Sequence, residues 1–375
     1  MKKFLIILGM CAFFVQCKNE SSQKQEIPQN TESSSKDWAL LPFVKTDSVN
    51  PVLLPDSTLI FTCPIRQTAV KWVQKDVFNP ATVVRNDSIF MIFRAEDIIG
   101  KYAGTSRLGL AVSTDGFHFS KMPEPVFYPD NDSMEKYEWE GGVEDPRIVE
   151  SEDERYIMTY TAYDGKVARL CLASSQDLKN WEKHGLVLDS EKYRDAWSKS
   201  GAIVCKQVGN RFVAQKINGK YWMYWGDTDL FMANSDDLIH WQAVEKMDGS
   251  LLRVLSPRPG YFDSRLVESG PFALLTKQGI LLIYNSMNAT TFNDVTLTED
   301  TYSAGQALFD KENPVKLIAR TDENFFKPDK PYELVGQVNK VCFLEGLVWF
   351  KDKWYLYYGT ADSKIAVATC EKVLR

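Results

Sequence analysis

The sequence predicts an all-β chain wound into a five-bladed β-propeller. Short runs rich in Val, Ile, Tyr, Phe and Trp recur from about residue 60 to the end, and no long stretch keeps a helical period. The runs also repeat. Ser113-x-Asp115-x-x-x-Phe119, Ser175-x-Asp177-x-x-x-Trp181 and Ser235-x-Asp237-x-x-x-Trp241 share one pattern, 62 and then 60 residues apart. Small sheets packed on their neighbours around an axis satisfy such a period. A pair of β-sandwiches would supply the strands but not the regular recurrence.

The units follow in order. IFMIFRA (89–95) and LGLAVS (108–113) form the first, YIMTYTA (156–162) and RLCLASS (169–175) the second. YWMYWGD (221–227) and DLFMANS (229–235) form the third, GILLIYNS (279–286) and SAGQALFD (303–310) the fourth, and WYLYYGTAD (354–362) and KIAVATC (364–370) the fifth. In the repeated turn the Asp caps the backbone and the aromatic closes the sheet edge. The ring is expected to span 38–375, with residues 38–75 supplying a strand that closes it onto the last blade.

The N-terminus reads as a targeting segment. Lys2 and Lys3 precede an apolar stretch from Phe4 to Val15, too short to span a membrane comfortably, and Cys17 follows. Residues 1–16 are expected to be a lipoprotein-type signal peptide, with Cys17 the lipid anchor to a bacterial envelope membrane, facing the periplasm or the cell surface. A plain signal peptide cut nearby is the alternative. Residues 17–37, with KNESSQKQE and NTESSSK, suit a flexible tether. Beyond Cys11 and Cys17, the odd set Cys63, Cys171, Cys205, Cys342 and Cys370 shows no CxxC spacing and reads as small buried hydrophobes.

Composition narrows the chemistry. The 375 residues include ten Trp and sixteen Tyr but three His, namely His118, His184 and His240, too few for a His-rich metal site. No metal and no cofactor are expected. A formal charge of −6 speaks against a nucleic-acid partner. Acidic and aromatic surfaces suit carbohydrate, since rings lie on sugar faces and carboxylates bind hydroxyls or move protons.

In a propeller the innermost strands aim side chains at the central channel, so polar residues at blade starts converge. Those starts are Asn79-Pro80, Glu144-Asp145-Pro146-Arg147, Lys199-Ser200-Gly201, Glu268-Ser269-Gly270-Pro271 and Glu345-Gly346. The sharpest is Gly141-Gly142-Val143-Glu144-Asp145-Pro146-Arg147. Two adjacent carboxylates with an Arg beyond can hold one acid protonated while the Arg fixes the other. An isolated EDPR reads better as a turn with an internal ion pair, and its place at a blade start reverses that preference.

Several motifs then carry a resemblance. VFNPA (77–81), FRAE (93–96), GGVEDPR (141–147), the SxDxxxW turns, INGKYWMY (217–224), ESGPFALLTKQGILLIYNS (268–286) and YYGTAD (357–362) resemble the mannoside phosphorylases and mannosidases of glycoside hydrolase family 130. The likeness runs from about residue 75 to 370, and GVEDPR followed by YYGTAD is its specific part. It implies a five-bladed propeller acting on terminal β-mannosides with inversion. It implies Asp145 as general acid, relaying its proton through the mannose 3-hydroxyl. Asn79, Arg94 and Asp362 match positions expected to bind the −1 mannose, and Arg107 lies where the family has polar contacts. Arg94 as an ion-pair partner of Glu96 is the alternative.

The nucleophile is read from departures. Phosphorolysis needs cations opposite the leaving group to hold a phosphate dianion, whereas hydrolysis needs a carboxylate base, roughly 6.5–9.5 Å from the acid in inverting enzymes. Where phosphorylases carry a His-Arg-Pro-like step this chain has Tyr224-Trp225-Gly226-Asp227-Thr228, and where they carry His after the LLIY strand it has Asn285. Before GPFALL it has Glu268. Glu268 is the first candidate base and Asp227 the second, with Asp227 equally suited to an acceptor-sugar hydroxyl. Lys199 is a retained cation that could serve phosphate or substrate. Glu144, Tyr163, Asp164, Tyr284 and Asn285 complete the candidate substrate contacts. Trp139, Trp197 and Trp225, with Tyr163, could wall acceptor subsites or simply pack blades. The expectation is an exo-acting β-mannosidase. By resemblance alone it is assigned to β-1,2 linkages of a mannoside oligosaccharide or mannan-derived glycan. A mannoside phosphorylase and a non-catalytic mannan-binding propeller are the alternatives.

Overall fold

The structure, a computed structural model, describes residues 37–374. The expected signal peptide, the Cys17 lipidation site and nearly all of the tether lie outside the described residues. The rest is built almost wholly of β-strands, with two helices of four residues each, Glu135–Glu138 and Pro331–Leu334.

Five antiparallel sheets follow one another along the chain. Blade one runs Asp76–Arg85, Ser88–Glu96, Ser106–Ser113 and Ser120–Lys121 from the axis outward. Blade two runs Gly142–Glu150, Tyr156–Tyr163, Ala168–Ser175 and Trp181–Leu186. Blade three begins at Ala202–Val208 and continues through Tyr221–Trp225, Leu230–Ser235 and Trp241–Ala243. Blade four has its inner strand in two pieces, Leu266–Ser269 and Ala273–Leu275, then Ile280–Met287, Tyr302–Phe309 and Leu317–Arg320. Blade five runs Cys342–Phe350, Lys353–Thr360 and Lys364–Cys370. Its outer strand is Val44–Lys45, which pairs antiparallel with Thr369 and Ala368.

Both faces of each sheet are covered by a neighbour, so the strands read as continuous apolar runs rather than clean alternation. Ile92, Leu110 and Met158 share one cluster between blades one and two, and Met91, Val348 and Tyr357 share another between blades five and one. Blades three and four meet through Val204, Met232, Leu282 and Phe309. All five described cysteines are free and buried in these layers.

The repeated turns have one chemistry. In each, the Ser hydroxyl accepts from a backbone N–H three residues on (Gly116, Leu178, Leu238), and the Asp accepts from the two N–H groups that follow. The middle residue is left-handed, with φ of 85° at Gly116, 67° at Leu178 and 70° at Leu238. The indoles of Trp181 and Trp241 donate back to the carbonyls of Leu178 and Leu238 at 3.1 and 3.0 Å.

Candidate active site

The inner strands of blades one, two and five lose their regular pairing near their starts, and that of blade four breaks between Ser269 and Ala273. The register slips between Phe78 and Pro80, between Glu144 and Arg147, and between Leu344 and Gly346. Asn79, Asp145 and Ser200 are left-handed, with φ of 47°, 50° and 58°. Pro80, Pro146 and Pro271 cannot donate to a ladder, and Asn and Asp tolerate the left-handed region better than other side chains. Such bulges re-aim side chains, and strain of this kind gathers at functional sites.

The re-aimed residues meet from different blades. Asp145 Oδ1 accepts from Asn79 Nδ2 at 2.9 Å and from the Arg94 guanidinium at 3.0 Å, and its Oδ2 lies 3.3 Å from Lys199 Nζ. Arg94 also reaches Glu144 Oε1 at 2.9 Å, Glu96 Oε1 at 2.8 Å and Ser106 Oγ at 2.9 Å. The Ser200 hydroxyl donates to Glu268 Oε1. Arg147 donates to the carbonyls of Asp145, Ser269 and Gly270 and lies 2.7 Å from Glu345. The buried Oδ1 of Asn79 has no hydrogen-bond partner and lies against Gly359 of blade five.

Electrostatics divide the carboxyls. Burial pushes Glu144 up to about 7, with Arg94 opposing. Burial acts on Asp145 too, but Lys199, Arg94 and the Asn79 hydrogen bond outweigh it and hold this carboxyl well below the usual range. The two adjacent carboxyls are thus pushed in opposite directions. Burial also pushes Glu268 up to about 7, opposed by Lys199 and reinforced by Asp227, and lifts Asp362 to about 7 against Arg94. Lys199 is kept charged by Asp145, Glu268, Glu144 and Asp227, despite burial.

A mouth of aromatic rings borders the cluster. Trp197, 51% exposed, donates its indole N–H to Asp227 Oδ2 at 2.6 Å and stands edge-on to Tyr163, with ring centroids 6.4 Å apart. Gly226 sets the direction of Asp227: its φ is 128°, and a Cβ there would strike the Asp229 carbonyl.

A family model described as beta-1,4-mannooligosaccharide phosphorylase matches residues 55–375. The chain belongs to glycoside hydrolase family 130. It is a carbohydrate-active enzyme of a family that contains mannoside phosphorylases and glycoside hydrolases. A 1,2-beta-oligomannan phosphorylase from Thermoanaerobacter sp. (strain X514) is 35% identical, the match covering 88% of this chain and 97% of that protein. A glycosyl hydrolase from Bacteroides ovatus is 47% identical with a TM-score of 0.86, covering 89% of this chain and 94% of that one. A further solved structure comes from work on family 130 glycoside hydrolases that target β-1,2 mannosidic linkages in Candida mannan. It is 44% identical, with a TM-score of 0.87, covering 90% of this chain and 98% of that one.

Within this family 130 chain the structure brings Asn79, Arg94, Glu144, Asp145, Lys199 and Glu268 together, with Asp362 and Asp227 in the same electrostatic neighbourhood. The alternative for Arg94 coexists with the first reading, because one guanidinium binds Glu96 and Asp145 at once. Four expected substrate contacts stand apart. Arg107 is 1% exposed and tied to Asp97 at 2.7 Å, a buried pair behind the channel wall. Tyr284 donates to Asp263 at 2.8 Å and packs on Phe262 between blades three and four. Asn285 spends its amide on Leu344, accepting from its N–H at 2.8 Å and donating to its carbonyl at 3.0 Å. Asp164 is engaged by the N–H groups of Lys166 and Val167 and by Arg169. Trp225 is buried against Phe231, and Trp139 lies under the Arg66 guanidinium.

One residue escaped the reading of the sequence. Tyr302 opens the third strand of blade four, where no repeat marks it, yet burial, helped by Glu268 and Asp362, pushes its phenol up to about 12. Glu345, marked in the sequence as the blade-five start but given no role there, is the ion-pair partner of Arg147.

Proposed function

We propose that this protein is an inverting, exo-acting β-mannosidase that hydrolyses β-1,2-mannosidic linkages. Asp145 is the general acid acting through the mannose 3-hydroxyl, and Glu268 activates water with help from Asp227. The observation that carries the reading is the charge on blades three and four. Glu268 and Asp227 stand there, and the cation beside them, Lys199, is already 3.3 Å from Asp145. A phosphate dianion would meet two carboxylates for one committed lysine. A buried carboxyl near pH 7 suits a base for water. The solved glycosyl hydrolase from Bacteroides ovatus is also more similar to this chain, at 47% identity, than the Thermoanaerobacter phosphorylase at 35%.

The acid step needs a protonated Asp145, whereas Lys199 and Arg94 favour its carboxylate. A sugar hydroxyl entering between Asp145 and Lys199 weakens the cation's hold on the carboxyl and lets Asp145 take up a proton before transfer. Asn79 and Arg94 orient Asp145.

Phosphorolysis is the second reading, favoured by the Thermoanaerobacter relative and by Lys199. Incubation with β-1,2-mannobiose, with and without phosphate, separates the two. Hydrolysis releases mannose at a rate indifferent to phosphate. Phosphate-dependent release of mannose 1-phosphate would overturn the proposal. Export as an envelope lipoprotein through Cys17 belongs to the same reading, and labelling with a radioactive fatty acid in cells, lost in Cys17→Ser, tests it.

A further inference from the structure

Asp145 and Glu268 sit on different blades, two and four, and neither touches the other directly. What joins them is one buried guanidinium. Arg147, with 2% of its side chain exposed, sends NH1 to the Asp145 carbonyl at 3.1 Å, Nε to the Gly270 carbonyl at 2.7 Å and NH2 to the Ser269 carbonyl at 2.7 Å. Ser269 and Gly270 directly follow Glu268 in the chain. The same NH2 lies 2.7 Å from Oε1 of Glu345 on blade five, a side chain with no exposure. Blade five is in turn pinned to blade four by the Asn285 amide on Leu344, the residue before Glu345.

Glu345 is expensive as a structural element. Neither of its oxygens has a well-aligned hydrogen bond, and a buried carboxylate in that condition destabilises the fold. Apolar residues of similar volume are often neutral or stabilising in place of a buried pair. A fork of five N–H donors can hold three carbonyls and a carboxylate in one plane; a lysine cannot.

We propose that Arg147 is a positioning residue that sets the spacing between Asp145 and Glu268 across the channel, with Glu345 as the carboxylate that keeps its guanidinium in register. The inference rests on the hydrolase reading for the roles of acid and base. The groups that bear on Glu268 are Lys199 and Ser200 from blade three, Asp227 from the same blade, Tyr302 from blade four, Glu345 from blade five and Arg147 itself.

The test uses the full-length enzyme and β-1,2-mannobiose, with phosphate present and absent. Wild-type product analysis comes first and judges the hydrolase reading alone. Arg147→Lys keeps the cation and loses the fork. It is expected to lower kcat about 100-fold with KM nearly unchanged, the size of loss that follows a misplacement of about 1 Å. Arg147→Met also removes the charge that holds the Glu268 carboxyl down, so the acid limb of its kcat profile moves to higher pH, whereas Arg147→Lys leaves the limb in place. Glu345→Gln keeps the shape, carries the test if Arg147→Met fails to fold, and is expected to lower kcat about 10-fold. A rise in KM at constant kcat in Arg147→Lys, or a Glu345→Gln enzyme with wild-type kcat, would overturn the proposal while leaving the hydrolase reading intact.

Discussion

Glu268 shows how one side chain is tuned by what surrounds it. It is 5% exposed, receives the Ser200 hydroxyl, and is caught between the cation of Lys199 and the negative charge of Asp227. Because burial raises it to about 7, the base is ionised above that pH and protonated below it. The kcat of the wild-type enzyme is therefore expected to fall as pH drops through about 7, following one proton. Glu268→Gln should lower kcat about 1000-fold, within the range of general base catalysis, while the affinity for mannose measured by titration calorimetry stays close to wild type. Near-normal turnover in that variant would remove Glu268 from the mechanism. Identity was legible at this level where a motif carried it, as in EDPR, but the state of the pair was not. That the two carboxyls are pushed in opposite directions depends in part on Lys199, fifty-four residues from Asp145 in sequence and 3.3 Å from it in space. The partners of Arg107 and Tyr284 are hidden from the sequence for the same reason. Nothing local announces that Asp97 and Asp263 already hold them.

Strands and turns were far easier to read. The SxDxxxW turns are local in both sequence and space, so spacing alone gave the capping Asp, and the structure adds the Ser hydroxyl as a second acceptor of backbone N–H groups. Long-range elements were only partly legible. A strand closing onto the last blade is expected somewhere in residues 38–75, and in the structure it is Val44–Lys45, two residues with no strand signature that form the outer edge of blade five. Lys45 fixes it there, its ammonium reaching Glu333 Oε2, Asp329 Oδ1 and the Lys327 carbonyl, each at 2.7 Å. Glu333 is fully buried and also accepts from Tyr358 and from the N–H groups of Asp329 and Lys330. Lys45→Met is expected to cost about 2–3 kcal/mol, below the usual loss for a broken buried pair because those other donors remain. Urea unfolding measures it, and a midpoint unchanged from wild type would refute the anchoring role.

Taken whole, the molecule sets stability against activity. Glu138, Glu144, Glu268 and Asp362 are all raised to about 7, chiefly by burial. Between the ordinary carboxylate range and pH 7 the folded chain binds more protons than the unfolded chain, so stability falls as pH rises through that window. Asp115, Asp177 and Asp237 act oppositely, because their turn N–H groups depress them, and their contribution is lost only as pH drops below the ordinary range. These three are half-exposed, so solvent screening keeps their effect small. The Tm is accordingly expected to be higher near about pH 5 than near about pH 8, while activity runs the other way. A Tm that climbs steadily from acid to neutral pH would contradict this assignment of charge.

The contacts around the axis pass from blade one to two through Asn79 and Asp145, from two to three through Lys199, from three to four through Ser200 and Glu268, and from four to five through Asn285. They return to blade one where Gly359 lies against Asn79 with no room for a side chain. Every gap between neighbours is bridged by a residue of the site or one beside it. The site is complete only once the fifth sheet meets the first, because that sheet brings Asp362 to the cluster. Four finished sheets alone would hold the acid and the base but lack Asp362. Enzyme assay during refolding would report the closing of the circle itself, later than any spectroscopic sign of strand formation.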